Sequence, residues 1–140
     1  MTYALDANIV SFLLRPKHNP DVVNHFETEI YDRNQAYVIP PVSLYEVAWY
    51  LMLKRSYGQL RLLREITNRA IAKADMSEDT FWLAAQLRAD LAERGQPIDG
   101  NDVLIAAYCI VNDYILVTDN RKHFGRIARL RCVNWRDESR

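Results

Sequence analysis

Four carboxylates hold most of the chemical potential of this sequence: Asp6, Glu46, Asp102 and Asp119. Asp6 closes the apolar run Tyr3 to Leu5, and Asp119 closes the run Tyr114 to Thr118. Glu46 and Asp102 stand at the starts of two helical stretches. Strand ends and helix starts of this kind share one edge of an open parallel sheet, and ligands bind in the crevice outside that edge. The four acids are therefore expected to converge, although more than a hundred residues separate the first from the last. Carboxylates crowded together raise one another's pKa and destabilise a fold unless a cation relieves them. The set holds Asp and Glu with no Cys or His, and hard oxygen donors alone suit Mg²⁺ or Mn²⁺ rather than zinc.

Each acid also has a purely structural reading. Ser43-Leu44-Tyr45-Glu46 fits a capping box, Asp99-Gly100-Asn101-Asp102 fits a helix cap, Asp6 fits an N-cap, and Asp119 with Asn120 suits a turn. Capping does not require that acids recur at one edge of a sheet, so convergence favours the metal site. The histidines add little to it. His18, His25 and His123 lack metal-pair spacing; the first two read as surface residues, and His123, between Lys122 and Phe124, as a weak candidate for phosphate contact. No Gly-rich phosphate loop and no G-x-S-x-G elbow are present, which disfavours an NTPase, a dinucleotide fold or a serine hydrolase.

The elements that must position these acids alternate. A strand at Tyr3 to Leu5 feeds a helix through Asn8, Ile9, Val10, Phe12 and Leu13 that stops before Pro16. A second helix is expected over Pro20 to Asp32 and a second strand over Tyr37 to Ile39, ended by Pro40 and Pro41. Helices follow over Ser43 to Arg55, Gln59 to Lys73 and Ser77 to Arg94, with Gly58 and Gly95 as punctuation. Asn101 to Asn112 is apolar almost all round, as a helix buried against a sheet is; Tyr114 to Val117 suits a parallel core strand, and Arg131 to Trp135 the last strand. Short strands alternating with helices indicate an α/β fold, a three-layer α/β/α sandwich around a mostly parallel central sheet of at least four strands. The stripes Tyr45, Trp49, Tyr50 and Leu60 to Leu63 are read as core rather than interface.

The chain has 140 residues, 49% hydrophobic and 26% charged, which suits one domain over residues 1–140 and excludes intrinsic disorder. The longest strongly apolar stretch, Val103 to Val111, falls short of the roughly 20 residues of a membrane span, and Asp6 interrupts any apolar leader, so a cytoplasmic protein without membrane contact is expected. Cys109 and Cys132 read as small core thiols in a reducing compartment. The 18 basic and 18 acidic residues cancel, yet they are unevenly placed. Lys54 to Lys73 holds six basic residues against Glu65, Arg121 to Arg140 seven against Asp137 and Glu138, and Asp75 to Asp119 nine acids against Arg88 and Arg94. Solvated helix faces account for this; so do basic rims around an acidic centre, suited to holding a polyanion over metal ions.

Leu5-Asp6-Ala7-Asn8, Pro41-Val42-Ser43-Leu44-Tyr45-Glu46-Val47, Pro97-Ile98-Asp99-Gly100-Asn101-Asp102-Val103-Leu104-Ile105-Ala106-Ala107 and Leu116-Val117-Thr118-Asp119-Asn120, with Phe124 and a closing Val133-Asn134-Trp135, stand in the order and spacing of a known family. The sequence resembles the PIN-domain ribonucleases of the VapC toxin kind over nearly its whole length. The resemblance implies that Asp6, Glu46 and Asp102 are the three main metal-binding acids, Asp119 a fourth and more variable one, and Asn8 and Thr118 supporting polar residues. Asp99 departs from the pattern, as an extra acid near the site or as the helix cap alone, and either Asp119 or Asn120 is the residue that points inward. The implied activity is a Mg²⁺-dependent endoribonuclease, with Mn²⁺ possible: Asp6 and Asp102 bind a first ion, Asp119 helps hold a second, and Glu46 binds directly or through water. Attack by water leaves a 5′-phosphate and a 3′-hydroxyl. Arg121, Lys122 and Arg126 are candidates for RNA contact. The implied partners are an RNA substrate, a cognate VapB-like antitoxin whose C-terminal tail occupies the active-site groove, and a second copy in a homodimer. Two rivals are a non-catalytic RNA- or protein-binding module on the same fold and a phosphoryl-accepting receiver domain, the latter lacking an adjacent pair of strand-end Asp residues and a strand-end Lys.

Overall fold

The computed structural model describes residues 1–71 and 75–136. The first strand, β1 (Thr2–Leu5), passes through Asp6 into α1 (Ala7–Leu13); α2 (Pro20–Glu27) follows and leads to β2 (Ala36–Val38). Then come α3 (Pro41–Leu53), α4 (Tyr57–Arg69), α5 (Glu78–Glu93) and α6 (Gly100–Asn112), and finally β3 (Ile115–Val117), the single turn α7 (Arg121–Phe124) and β4 (Cys132–Val133). The four strands form one all-parallel sheet in the order β2-β1-β3-β4. The chain therefore leaves β1 to one side for β2 and later returns to its other side with β3, which makes the carboxyl end of β1 a topological switch point.

Strand alternation divides the core in two. Tyr3, Leu5, Tyr37, Ile115 and Val117 face a cluster with Ile9, Val10 and Leu13 of α1, Val22 of α2, Val47 and Leu51 of α3 and Leu63 of α4. Ala4, Val38 and Leu116 face the opposite cluster, with Ala84 and Leu91 of α5, Val103, Ile105, Ala106, Ala107 and Cys109 of α6, and Phe124 of α7. A sheet covered on both faces explains why Leu116 and Val117 have no exposure at all and why the strands read as unbroken apolar runs. Cys109 is a buried free thiol and Cys132 a half-buried one; burial pushes the Cys132 thiol up to about 11.

Several boundaries differ from expectation, each for a local reason. The last five residues of the expected helix Pro20 to Asp32 wind as a wider π-helical turn, Thr28–Asp32, where Glu29 accepts a bond from the Tyr3 hydroxyl (3.1 Å) and one from Arg33 (3.0 Å). The helix expected to run to Lys73 ends at Arg69, with Ala70 extended; Lys73 lies outside the described residues. Arg131 to Trp135 pairs as strand only at Cys132 and Val133, while Trp135 buries its ring edge-on against Tyr3, 5.3 Å between centroids. The stripe Tyr45, Trp49, Tyr50 is exposed, not core. Helix α3 turns Ser43, Val47 and Leu51 inward at four-residue spacing, and that leaves Tyr45 and Trp49 on the outer side.

Candidate active site

The register of the sheet places the first pair of site residues. Leu5 stands opposite Val117, so the next residues along each strand, Asp6 and Thr118, meet at the carboxyl edge. The Asp6 amide donates to the Val117 carbonyl (3.0 Å), and the Thr118 hydroxyl donates to Asp6 Oδ2 at 2.7 Å, a buried bond between residues 112 positions apart. Asp6 Oδ1 accepts from the Ala7 amide at 2.8 Å and so caps α1. The capping reading and the site reading of Asp6 therefore hold together, one oxygen for each.

The next two acids come from helix starts. Asp99 is the N-cap of α6, accepting from the Asn101 amide at 3.3 Å. Asp102, three residues on, is thereby released from capping and turns to His123, whose Nδ1 lies 3.2 Å from Asp102 Oδ2. An ionised carboxylate can only accept, so this contact is a hydrogen bond in the form of the ring that carries a proton on Nδ1. For Glu46 the capping-box expectation fails: α3 begins at Pro41 behind an N-cap Pro40 that makes no side-chain bond, which sets Ser43 and Glu46 inside the helix. Both are left with a buried oxygen, Ser43 Oγ and Glu46 Oε1, that has no hydrogen-bond partner among the described residues. A buried acceptor without a donor costs free energy, and such an exception calls for an explanation.

Asp119 accepts from Asn8 Nδ2 (3.2 Å) and pairs with Arg136 Nη1 (3.5 Å), which ties the turn after β3 to α1. Asn120 points elsewhere: its side chain caps α7 by accepting from the His123 amide, and its Nδ2 lies 3.2 Å from the same His123 ring. Of the candidates for RNA contact, Arg121 and Lys122 are exposed on α7, whereas Arg126 donates Nη1 to the Pro97 carbonyl (3.0 Å) and braces the loop before α6.

The acids share one field. Burial pushes the Asp6 carboxyl up from 3.8 to about 6; the bonds from Thr118 and Ala7 pull it down, and the charges of Asp102 and Asp119 push it up again. Burial raises Glu46 from 4.5 to about 7, with Asp6, Asp102 and Asp99 adding to the shift. Asp102 is raised by burial and by Asp99, against the lowering bond from His123. Among the described residues no three Asp, Glu, His or Cys side chains close tightly enough to hold an ion as they stand. Asp6, Asp102 and Asp119 are each turned toward a partner within the chain, namely Thr118, His123 and Asn8. Sequence reasoning placed His123 only as a phosphate contact and passed over Arg136. The Asn120-x-x-His123 spacing, a cap followed by a ring three residues on, is the signal for the first; no spacing points to the second.

Comparison with known proteins gives the same direction. Residues 3–130 match the family model described as PIN domain. A protein of Rickettsia felis named Ribonuclease VapC2 is 30% identical over 135 residues, 96% of this chain and 98% of that protein. A Shigella flexneri protein named tRNA(fMet)-specific endonuclease VapC is 38% identical over 50 residues, 36% of this chain and 38% of that one. Among solved structures, VapBC2 from Rickettsia felis bound to a DNA fragment from their promoter superposes with a TM-score of 0.83 at 29% identity, covering 96% of this chain and 99% of that one.

Proposed function

This chain belongs to the PIN-domain family, and from that premise we propose that it is a ribonuclease, the toxin of a toxin–antitoxin pair, that hydrolyses RNA phosphodiester bonds with the help of a divalent cation, Mg²⁺ or Mn²⁺. The observation that carries the proposal is the shared field of Asp6, Glu46 and Asp102, drawn from three separate elements to the switch point of the sheet.

The residues fit such an ion. The donors are carboxylate oxygens without thiols, the set that hard divalent cations take, and Glu46 Oε1 is a buried acceptor with no proton donor among the described residues. Asp6, Glu46 and Asp102 would hold the ion, with Asp119 at the edge. The chemistry it supplies when bound is neutralisation of charge on the phosphoryl oxygens and activation of water. The chain's own residues do the rest. Thr118 and the Ala7 amide fix both oxygens of Asp6, so that carboxylate loses little rotational freedom when it acts. His123 contacts Asp102, Asn8 donates to Asp119, and Arg121 and Lys122, on the turn after Asp119, would meet backbone phosphates.

The likeness to a VapBC complex extends the proposal to a cognate antitoxin as partner, and we add to it a second copy of the chain. The apolar surface such contacts need is present, with Phe81 and Trp82 of α5 and Met52 and Leu53 of α3 all more than half exposed. Incubating the pure protein with total tRNA and Mg²⁺, with and without EDTA, tests the proposal. Cleavage that EDTA abolishes and that leaves 5′-phosphate ends is expected. RNA that is bound and never cut would make the chain a non-catalytic module on the same fold.

A further inference from the structure

We propose that the groove between α1, α3 and the start of α4 is the track that holds single-stranded RNA on one side of the scissile phosphate, with Trp49 and Tyr50 as base-stacking platforms and Arg15 and Lys54 as backbone clamps. The inference rests on the nuclease reading and names how that site would grip its substrate.

The groove has a volume of about 730 Å³ and adjoins the acids, since Glu46 and Asn8, whose Nδ2 donates to Asp119, are among its lining residues. Along α3 the side chains Glu46, Tyr50 and Lys54 follow at four-residue spacing and so form one ridge. An acid at the cleavage point, an aromatic ring and a cation are thus set in line over about 12 Å, at 1.5 Å per residue. Trp49 stands beside the ridge, its ring centroid 6.2 Å from that of Tyr50 and the planes perpendicular. The Trp49 and Tyr50 rings are about half exposed, at 50% and 51%, a state that leaves apolar area in water. Lys54 lies over the Tyr50 ring, 5.6 Å from its centroid, and Arg15 enters from the end of α1.

Charge chooses the occupant. Away from Glu46 the charged side chains lining the groove, Arg15 and Lys54, are both cations. A phosphate backbone is complementary to that end. Stacking on aromatic rings joined to a cationic groove is the sequence-tolerant mode by which proteins hold single strands. The apolar side chains better suited to protein contact, Met52 and Leu53, are not among those that line the groove.

The test separates binding from cleavage. In an Asp6→Asn background, a fluorescein-labelled ten-nucleotide oligoribonucleotide of mixed sequence is titrated by anisotropy at several salt concentrations. Arg15→Glu with Lys54→Glu is expected to weaken binding at least tenfold and to flatten its salt dependence by roughly one power of salt or more, since two backbone contacts are lost. Trp49→Ala is expected to weaken it by about fivefold or more, with Trp49→Phe restoring most of the loss. With Asp6 intact, the same groove variants are expected to raise KM and leave kcat within twofold. Binding and KM equal to wild type in variants with unchanged circular dichroism overturn the inference, as does unchanged RNA affinity together with altered self-association in gel filtration, which would give the groove to a second copy. A wild-type chain that cuts no RNA defeats the nuclease reading instead, and the anisotropy arm still decides what the groove holds.

Discussion

At the residue scale the account depends on acids held at a cost. Asp6 is 5% exposed and shares its field with two other carboxylates, so a neutral Asn removes a repulsion and keeps one acceptor, for the Ala7 amide, while its Nδ2 donates to the Thr118 hydroxyl that donates to Asp6 in the native chain. Asp6→Asn is expected to lower the cleavage rate by about 10²-fold or more, the effect of losing several kcal/mol of metal-borne stabilisation, while the melting temperature stays level or rises. A variant that cuts at the wild-type rate contradicts the role. The same crowding has a pH signature. Asp6 and Glu46 have folded pKa values above their ordinary 3.8 and 4.5, so the folded chain binds more protons than the unfolded chain between those values and about 6 and 7. Their stabilising contribution is complete below the ordinary values and is lost as pH rises through the folded ones. Chelator-treated protein should therefore melt lower at pH 8 than at pH 5, and Asp6→Asn or Glu46→Gln should shrink the difference; an equal difference in both variants would show that other groups set it. Residue types were the most legible layer in the sequence, because an acid directly after an apolar run has few places to go in a parallel sheet. Partners were less so: that Asp102 meets His123, or that Glu46 Oε1 meets no donor, depends on helix starts that local sequence leaves ambiguous.

At the element scale, the turn after β3 must be rigid for Asp119 and His123 to keep their places. Its anchor is Phe124, fully buried among the side chains of α6 and α5 although α7 is only four residues long. Phe124→Ala is expected to cost about 3–5 kcal/mol by denaturant titration, far more than the size of the element suggests, because the cavity opens in the core. By contrast Ser77→Ala, which removes the side-chain cap of α5 at the Thr80 amide, is expected to cost about 1 kcal/mol and to leave cleavage unchanged. Strands and long helices were legible here because their periods are. Helix α7 was not, since Arg-Lys-His-Phe has one apolar residue and no repeat to detect. The start of α3 was misjudged for a related reason: Ser43 and Glu46 satisfy the capping pattern, yet Pro41, with its fixed φ, begins the helix two residues earlier.

At the scale of the whole molecule, two apolar clusters clamp a four-stranded sheet, and Asp6 with Asp119 stands at its carboxyl edge. Net neutrality hides this arrangement, in which Arg15 and Lys54 line one groove with Glu46. Three-layer order was legible from the alternation of elements. The aromatic side of α3 was not, because a helix with apolar residues on both sides does not announce which one faces the sheet. Whether carboxylates from opposite ends of the chain form one seat for a divalent ion is tested by Mn²⁺ titration followed by electron paramagnetic resonance, without reference to activity. Saturable binding by the wild-type chain, weakened at least tenfold in Asp6→Asn and in Asp102→Asn, is the predicted result. No binding by the wild-type chain at millimolar Mn²⁺, or binding that both variants leave intact, would contradict it.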